Sequence, residues 1–309
     1  LQEGDAMEYI IEAANVVKNK STLLHTNLLV KDNKIHYMKE GPFTNSRSMR
    51  MDISPYVLTP GHVMLVDKLE QMPFPRFKQF ITENYLKKGC TTLLSLISVQ
   101  REKELLQTLK RARTFLLNSP IDYYFAVRIP FHKLTPSFVR QCRRYKISAI
   151  FLQMDDTTEL SSVPWGWIKD ALYQFPVTFL PCWQNISPSK KNRKKKEWKI
   201  IMKEENLTHA TECPEQGKPL DLDLLMKIGI YPSKGDLRVG GELDYNLYLS
   251  PEGHIIETIE NLDYDSHIPE VTVQKGTVIK AGEEILFRPG FGKECTVTIP
   301  GHFLLSKKI

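Results

Sequence analysis

The stretch Tyr56-Val57-Leu58-Thr59-Pro60-Gly61-His62-Val63-Met64-Leu65-Val66-Asp67-Lys68 reads as an apolar approach, a Pro-Gly turn and a buried strand. It marks a change of rhythm. Upstream, residues 7–60 alternate as short strands with turn residues, and Lys31-Asp32-Asn33-Lys34 has the composition of a hairpin tip. Downstream, strand is followed by helix. The spacing predicts strands at 63–66, 91–99, 123–129, 148–154 and 177–183, with helices between them at 77–88, 102–118, 136–145 and 165–174. The second helix carries Leu105, Leu106, Leu109, Ala112 and Leu116 on one side, and Pro136 opens the third. Such alternation implies a parallel sheet with right-handed crossovers, compatible with a (β/α) barrel.

Beyond Trp183 the rhythm weakens to one clear helix at 194–205, a strand candidate at 207–211 and a helix at 220–228. A full eight-unit barrel takes about 250 residues, whereas His62 to Pro232 spans about 170, so a truncated barrel is expected. From Leu243 strands return, with turns at Ser250-Pro251-Glu252-Gly253, Lys275-Gly276 and Pro289-Gly290-Phe291-Gly292.

Four segments carry a family likeness in the same chain order. They are Ile10–Val17 with Asn27–Ile35, the Pro60-Gly61 stretch, Lys87-Lys88-Gly89-Cys90-Thr91-Thr92-Leu93-Leu94, and Tyr231-Pro232-Ser233-Lys234-Gly235 running on to Leu249. Together they resemble the amidohydrolase superfamily of dihydroorotases, hydantoinases, allantoinases and adenine deaminases. The fold class this implies is α/β: a reduced or incomplete (β/α) TIM-like barrel over 61–236, with a composite β-sandwich domain formed by the N- and C-terminal segments, 7–60 and 237–309.

In that family the Pro-Gly turn is followed by Asp-x-His-x-His, whose histidines hold a catalytic metal. A carbamylated lysine on the fourth strand, histidines on the fifth and sixth and an aspartate on the eighth complete the set. The resemblance places Met64 at the first aspartate, Val66 and Lys68 at the two histidines, Phe151 or Leu152 at the lysine, and Leu180 or Pro181 at the fifth-strand histidine. His209 falls near the sixth strand, while Asp221 and Asp223 read as first-turn helix residues. A divalent centre wants neutral imidazoles and anionic oxygens around an open water position. The expectation is therefore no metal, no cofactor and no catalytic residue of the family type, with Met64, Val66, Lys68, Phe151 and Leu180 as vestigial-site positions. Lys68 could replace the metal's charge with a fixed cation. His62, Asp67, His132, Cys182 and His209 are the ligand-binding candidates left over, able in principle to form a Cys-His nucleophile and equally readable as turn and core residues.

The 309 residues, 41% hydrophobic and 25% charged, have the composition of an ordinary globular protein. No apolar run approaches the roughly 18–20 residues of a membrane span, and no signal peptide is evident. Met7 reads as a natural start, with Leu1–Ala6 as an addition. Five scattered cysteines without a Cys-x-x-Cys pair fit reduced thiols and a cytoplasmic location. The net charge of +6 owes much to Lys190, Lys191, Arg193, Lys194, Lys195, Lys196 and Lys199, read as a solvent-exposed loop entering a helix rather than as a nucleic-acid site. Phosphate cradles and the nucleophile elbow are absent as motifs. The reading that follows is an amidohydrolase-like protein that has lost metal-dependent C–N hydrolysis and serves as a non-catalytic binding, regulatory or scaffolding protein, as a homo-oligomer or with a protein partner. Two alternatives stand beside it: an active hydrolase of non-peptide C–N bonds in cyclic amides or amidines with a reorganised site, and a polyanion-binding protein using the 190–199 run.

Overall fold

The computed structural model describes residues 8–19, 22–44, 48–69, 72–249 and 267–298. The strands are β1 (Glu8–Asn19), β2 (Thr22–Lys31), β3 (Lys34–Lys39), β4 (Met49–Asp52), β5 (Tyr56–Pro60), β6 (His62–Asp67), β7 (Cys90–Ser98), β8 (Asp122–Pro130), β9 (Ala149–Met154), β10 (Thr178–Trp183), β11 (Tyr245–Leu249), β12 (Val271–Gln274), β13 (Thr277–Ala281) and β14 (Glu284–Ile285). The helices are α1 (Phe74–Asn84), α2 (Leu105–Leu116), α3 (Pro136–Arg144), α4 (Trp165–Leu172), α5 (Pro188–Glu204) and α6 (Leu222–Ile228). The turn expected at Ser250–Gly253 and the segment Leu1–Ala6 with Met7 lie outside the described residues. No helix among the described residues is long and apolar enough to cross a membrane. The chain divides into two compact units: Leu1–Met64 with Pro73–Thr92 and Pro232–Arg288, and Leu65–Met72 with Leu93–Tyr231 and Pro289–Ile309.

The first unit holds a mostly antiparallel sheet in the order β14-β13-β12-β11-β5-β1-β2-β3, with β4 also on β1. N-terminal and C-terminal segments therefore share one sheet, joined where β5 pairs antiparallel with β11. Asp32 and Asn33, both at positive φ (52° and 58°), make the tight tip between β2 and β3. Ala13, at φ 54°, sits in a register shift of β1 and donates its N–H to Asn27 Oδ1 at 2.9 Å, the side chain standing in for a ladder partner. One face buries Ile11, Val16, Leu28, Ile35, Leu58, Leu243, Tyr245 and Val273. Gly61 is required at its turn because a Cβ there would lie 2.3 Å from Thr91 Oγ1.

The second unit is built on a curled five-stranded parallel sheet, order β10-β9-β8-β7-β6. The apolar runs read from the sequence form these strands, and Trp165 of α4 packs against Phe179 of β10. Each edge of the sheet takes one bridge from the same short segment. Phe179 of β10 pairs with His209, through the Phe179 N–H to the Thr208 carbonyl and the Ala210 N–H to the Phe179 carbonyl. Leu65 of β6 pairs with Gln216, through the Gly217 N–H to the Leu65 carbonyl. The strand candidate at 207–211 is thus a bridge rather than a strand.

One further difference from the sequence reading has a physical cause. The basic run is helical from Pro188 onward, because proline at the first helical position is pre-set for the helix and Ser187 before it is extended. Lys190 and Lys195 pair with Asp156 and Glu212, and Lys194 donates to the Thr158 carbonyl, so much of the run is neutralised or tied down. Residues 289–298 fall in the second unit. The Tyr123 N–H donates to the Lys293 carbonyl, the Cys295 N–H to the Tyr123 carbonyl, and Arg113 grips Glu294 with two bonds of 2.7 and 2.8 Å. Pro73–Thr92 falls in the first unit.

Candidate functional site

Side-chain direction in β10 fixes the inner face of the curled sheet. Phe179 packs edge-on against Trp165 of α4, ring centroids 6.0 Å apart, so it points at the helices and Leu180 and Cys182 point the other way. The register carries this face across the sheet, since Leu180 lies opposite Phe151 and Phe151 opposite Arg128. Toward the carboxyl ends of the strands the face turns polar. Arg128 Nη1 donates to Asp67 Oδ2 at 2.7 Å, with the two side chains only 14% and 4% exposed. Beside Arg128, the Cys182 thiol donates to Cys213 Sγ at 3.3 Å.

This arrangement divides the two thiols. The hydrogen bond from Cys182 holds the Cys213 pKa below its ordinary value against the opposing effect of burial, and the Arg128 cation adds to the same shift. The same bond and burial push Cys182 up. Cys213 is the thiol that ionises first. Asp67 Oδ1, Arg128 Nε and Trp183 Nε1 are buried without a hydrogen-bond partner among the described residues. A cavity of about 270 Å³ opens among Arg128, Cys182, Trp183, Lys191, Glu212 and Cys213. A second, of about 460 Å³, is lined by His132, Gln153, Asp155 and Glu159 among others, and the two share Gln184.

Of the ligand-binding candidates named from sequence, Asp67 and Cys182 meet at Arg128, and His132 lines the neighbouring cavity. His209 lies on the bridging segment with its ring edge-on to Trp198, centroids 6.4 Å apart, and burial lowers its pKa. His62 sits in the first unit, Nε2 2.6 Å from Tyr248 Oη, and burial pushes it down to about 4. Met64, Val66, Phe151 and Leu180 are fully buried, while Lys68 follows β6 in the left-handed region at φ 58°. Arg128 and Cys213 were missed. A signal existed for Arg128, a lone charge inside the apolar run Tyr123–Ile129; none existed for Cys213, in an irregular stretch distant in sequence.

No protein-family model and no curated protein sequence matches the chain. Solved structures do. The L-hydantoinase (dihydropyrimidinase) of Arthrobacter aurescens superimposes with a TM-score of 0.64 at 12% identity, over 94% of this chain and 100% of that one. A D-hydantoinase from a Bacillus species gives 0.67 at 10% identity over 94% and 99%, and the dihydropyrimidinase of Brevibacillus agri 0.60 at 10% over 95% and 99%. These neighbours are amidohydrolase superfamily members, and at such identities the likeness establishes a shared fold: a partial TIM-like barrel with a separate, largely antiparallel sheet.

Proposed function

We propose that the protein hydrolyses a ring C–N bond in a small cyclic amide, using a thiol at the Asp67–Arg128–Cys182–Cys213 cluster. The observation that carries this reading is the pairing of one unpartnered buried donor, Arg128 Nε, with one unpartnered buried acceptor, Asp67 Oδ1, close to a thiol shifted toward its thiolate. An amide edge offers the complementary pair, a carbonyl and an N–H. The cluster also lies at the carboxyl ends of parallel strands, where barrel enzymes place their chemistry, and the structural neighbours are hydrolases of hydantoin and dihydropyrimidine rings. The fold alone assigns no activity.

The binuclear metal centre of the family does not fit this chain. Of the positions that the sequence resemblance sets at the ligands, Met64, Val66, Phe151 and Leu180 are fully buried and offer no nitrogen or oxygen donor from their side chains, and Lys68 offers only an amine. The Arg128 cation bound to Asp67 repels a divalent ion from that carboxylate, and Glu212 in the same cavity is paired with Lys195. In the thiol route the Cys213 thiolate attacks the carbonyl carbon while Arg128 stabilises the developing oxyanion. The C–N bond breaks as the ring nitrogen takes a proton from the Cys182 thiol. Water then hydrolyses the thioester, releasing a carboxylate and restoring both sulfurs. A second reading, non-catalytic ligand binding at the same cluster, is favoured by the apolar filling of the family's ligand positions.

Hydantoin, dihydrouracil and allantoin are the first substrates to assay, with wild type and Cys213→Ser. Turnover abolished by Cys213→Ser and by iodoacetamide, and indifferent to a chelator, supports the thiol route. Turnover that survives Cys213→Ser and stops with the chelator refutes it. Saturable protection of Cys213 from iodoacetamide without turnover selects the binding reading, and neither turnover nor protection refutes both.

A further inference from the structure

The end of the parallel sheet opposite the thiol cluster carries a second concavity. Lys146 precedes β9 and Tyr173 precedes β10, so both stand at the amino-terminal ends of their strands. With Arg140, Arg143, Arg144 and Phe175 they border a cavity of about 770 Å³, within the size range of small-ligand sites. No carboxylate lines it, and no described carboxylate forms an ion pair with any of the four cations.

Helix termini explain part of this. Arg143 and Arg144 occupy the last turn of α3, where cations complement the helix dipole, and Arg143 also donates to the Ala171 carbonyl. Arg140 lies one turn back on the same face of α3, and Lys146 stands over the Phe175 ring, 5.1 Å from its centroid. Four like charges that no described carboxylate pairs thus share one concavity, which favours an anion there. The aromatic residue is the second observation. Tyr173 is 74% exposed, yet its backbone is at φ 49° and ψ −121°, a conformation suited to glycine and costly for tyrosine. Its ring buries little, and one contact is the Arg143 guanidinium, 5.8 Å from the centroid. An exposed aromatic held at a glycine position beside cations that no described carboxylate pairs is what a planar, anionic ligand would use.

The geometry points to a nucleotide-binding site, in which Arg140, Arg144 and Lys146 take the phosphates and Tyr173 stacks on the base. The site is separate from the thiol cluster and does not depend on its chemistry.

The test is equilibrium dialysis of the full chain with labelled ATP, with inorganic triphosphate and adenosine as competitors, at low and physiological ionic strength. ATP should bind at low salt and weaken as salt rises. Triphosphate should compete and adenosine should not. Replacing both Arg140 and Arg144 by glutamine should weaken ATP roughly tenfold or more, as loss of charge-assisted hydrogen bonds does. Tyr173→Gly should weaken ATP several-fold while leaving triphosphate unchanged, and should raise Tm because glycine relieves the backbone, so lost affinity cannot be ascribed to misfolding. The site is overturned if neither ATP nor triphosphate binds at low salt, or if the double variant binds as wild type. Stacking on Tyr173, and with it the nucleotide assignment, is overturned if Tyr173→Gly binds ATP unchanged.

Discussion

Replacing Arg128 by methionine tests whether the Asp67–Arg128 pair is the buried element on which the candidate site rests. The substitution keeps most of the side-chain volume and removes the charge. A surface ion pair contributes about 0–1 kcal/mol, but these side chains are 14% and 4% exposed and 2.7 Å apart. Removing one partner of a buried pair strands the other, at a cost of about 3–5 kcal/mol, a large part of the roughly 5–15 kcal/mol that holds a domain folded. Because Arg128 Nε and Asp67 Oδ1 are already without partners, the intact pair is only partly satisfied. Removing both charges, in Asp67→Asn with Arg128→Met, should therefore recover most of the loss. Urea unfolding followed by circular dichroism near neutral pH should show the single variant clearly weakened and the double variant near wild type. A single variant within about 1 kcal/mol of wild type, or a double variant no more stable than the single, would refute the assignment.

The remaining predictions concern the other buried titratable groups. Burial pushes His62 from an ordinary 6.5 down to about 4. The folded state thus binds fewer protons than the unfolded chain between these values, so stability is full above about pH 6.5 and falls as pH drops toward 4. The loss from this group is about 3 kcal/mol. Urea unfolding across this range should be steeper for wild type than for His62→Gln, and equal slopes would remove His62 as the cause. Thiol labelling of the native protein should mark Cys213 ahead of Cys90 and Cys142, which are fully buried with their pKa values pushed up, Cys90 to about 12. Mass spectrometry after brief iodoacetamide treatment reads this order, and early alkylation of Cys142 would contradict the packing described.

How far the sequence reveals this molecule depends on whether a feature is encoded locally. The strands of the curled sheet were legible because each is a contiguous apolar run, and the Asp32-Asn33 tip because those residues tolerate positive φ. The basic run misled because charge reads as loop, whereas lysine and arginine are good helix formers and Pro188 supplies the start. The candidate site was half legible. Asp67 and Cys182 lie at strand ends, where a barrel reading looks for chemistry, and the lone charge of Arg128 in an apolar strand pointed inward without naming its partner. Cys213 could not be found this way, since it is delivered by a segment tied to the sheet through the bridges at His209 and Gln216, and no periodicity encodes bridges. The same reasoning covers the basic concavity. Arg140 to Lys146 is a visible cluster in the sequence, but Tyr173, the residue that makes it more than a helix terminus, arrives from the end of the next helix. Both candidate sites draw their residues from more than one β-α unit, so no single stretch of the sequence displays either set.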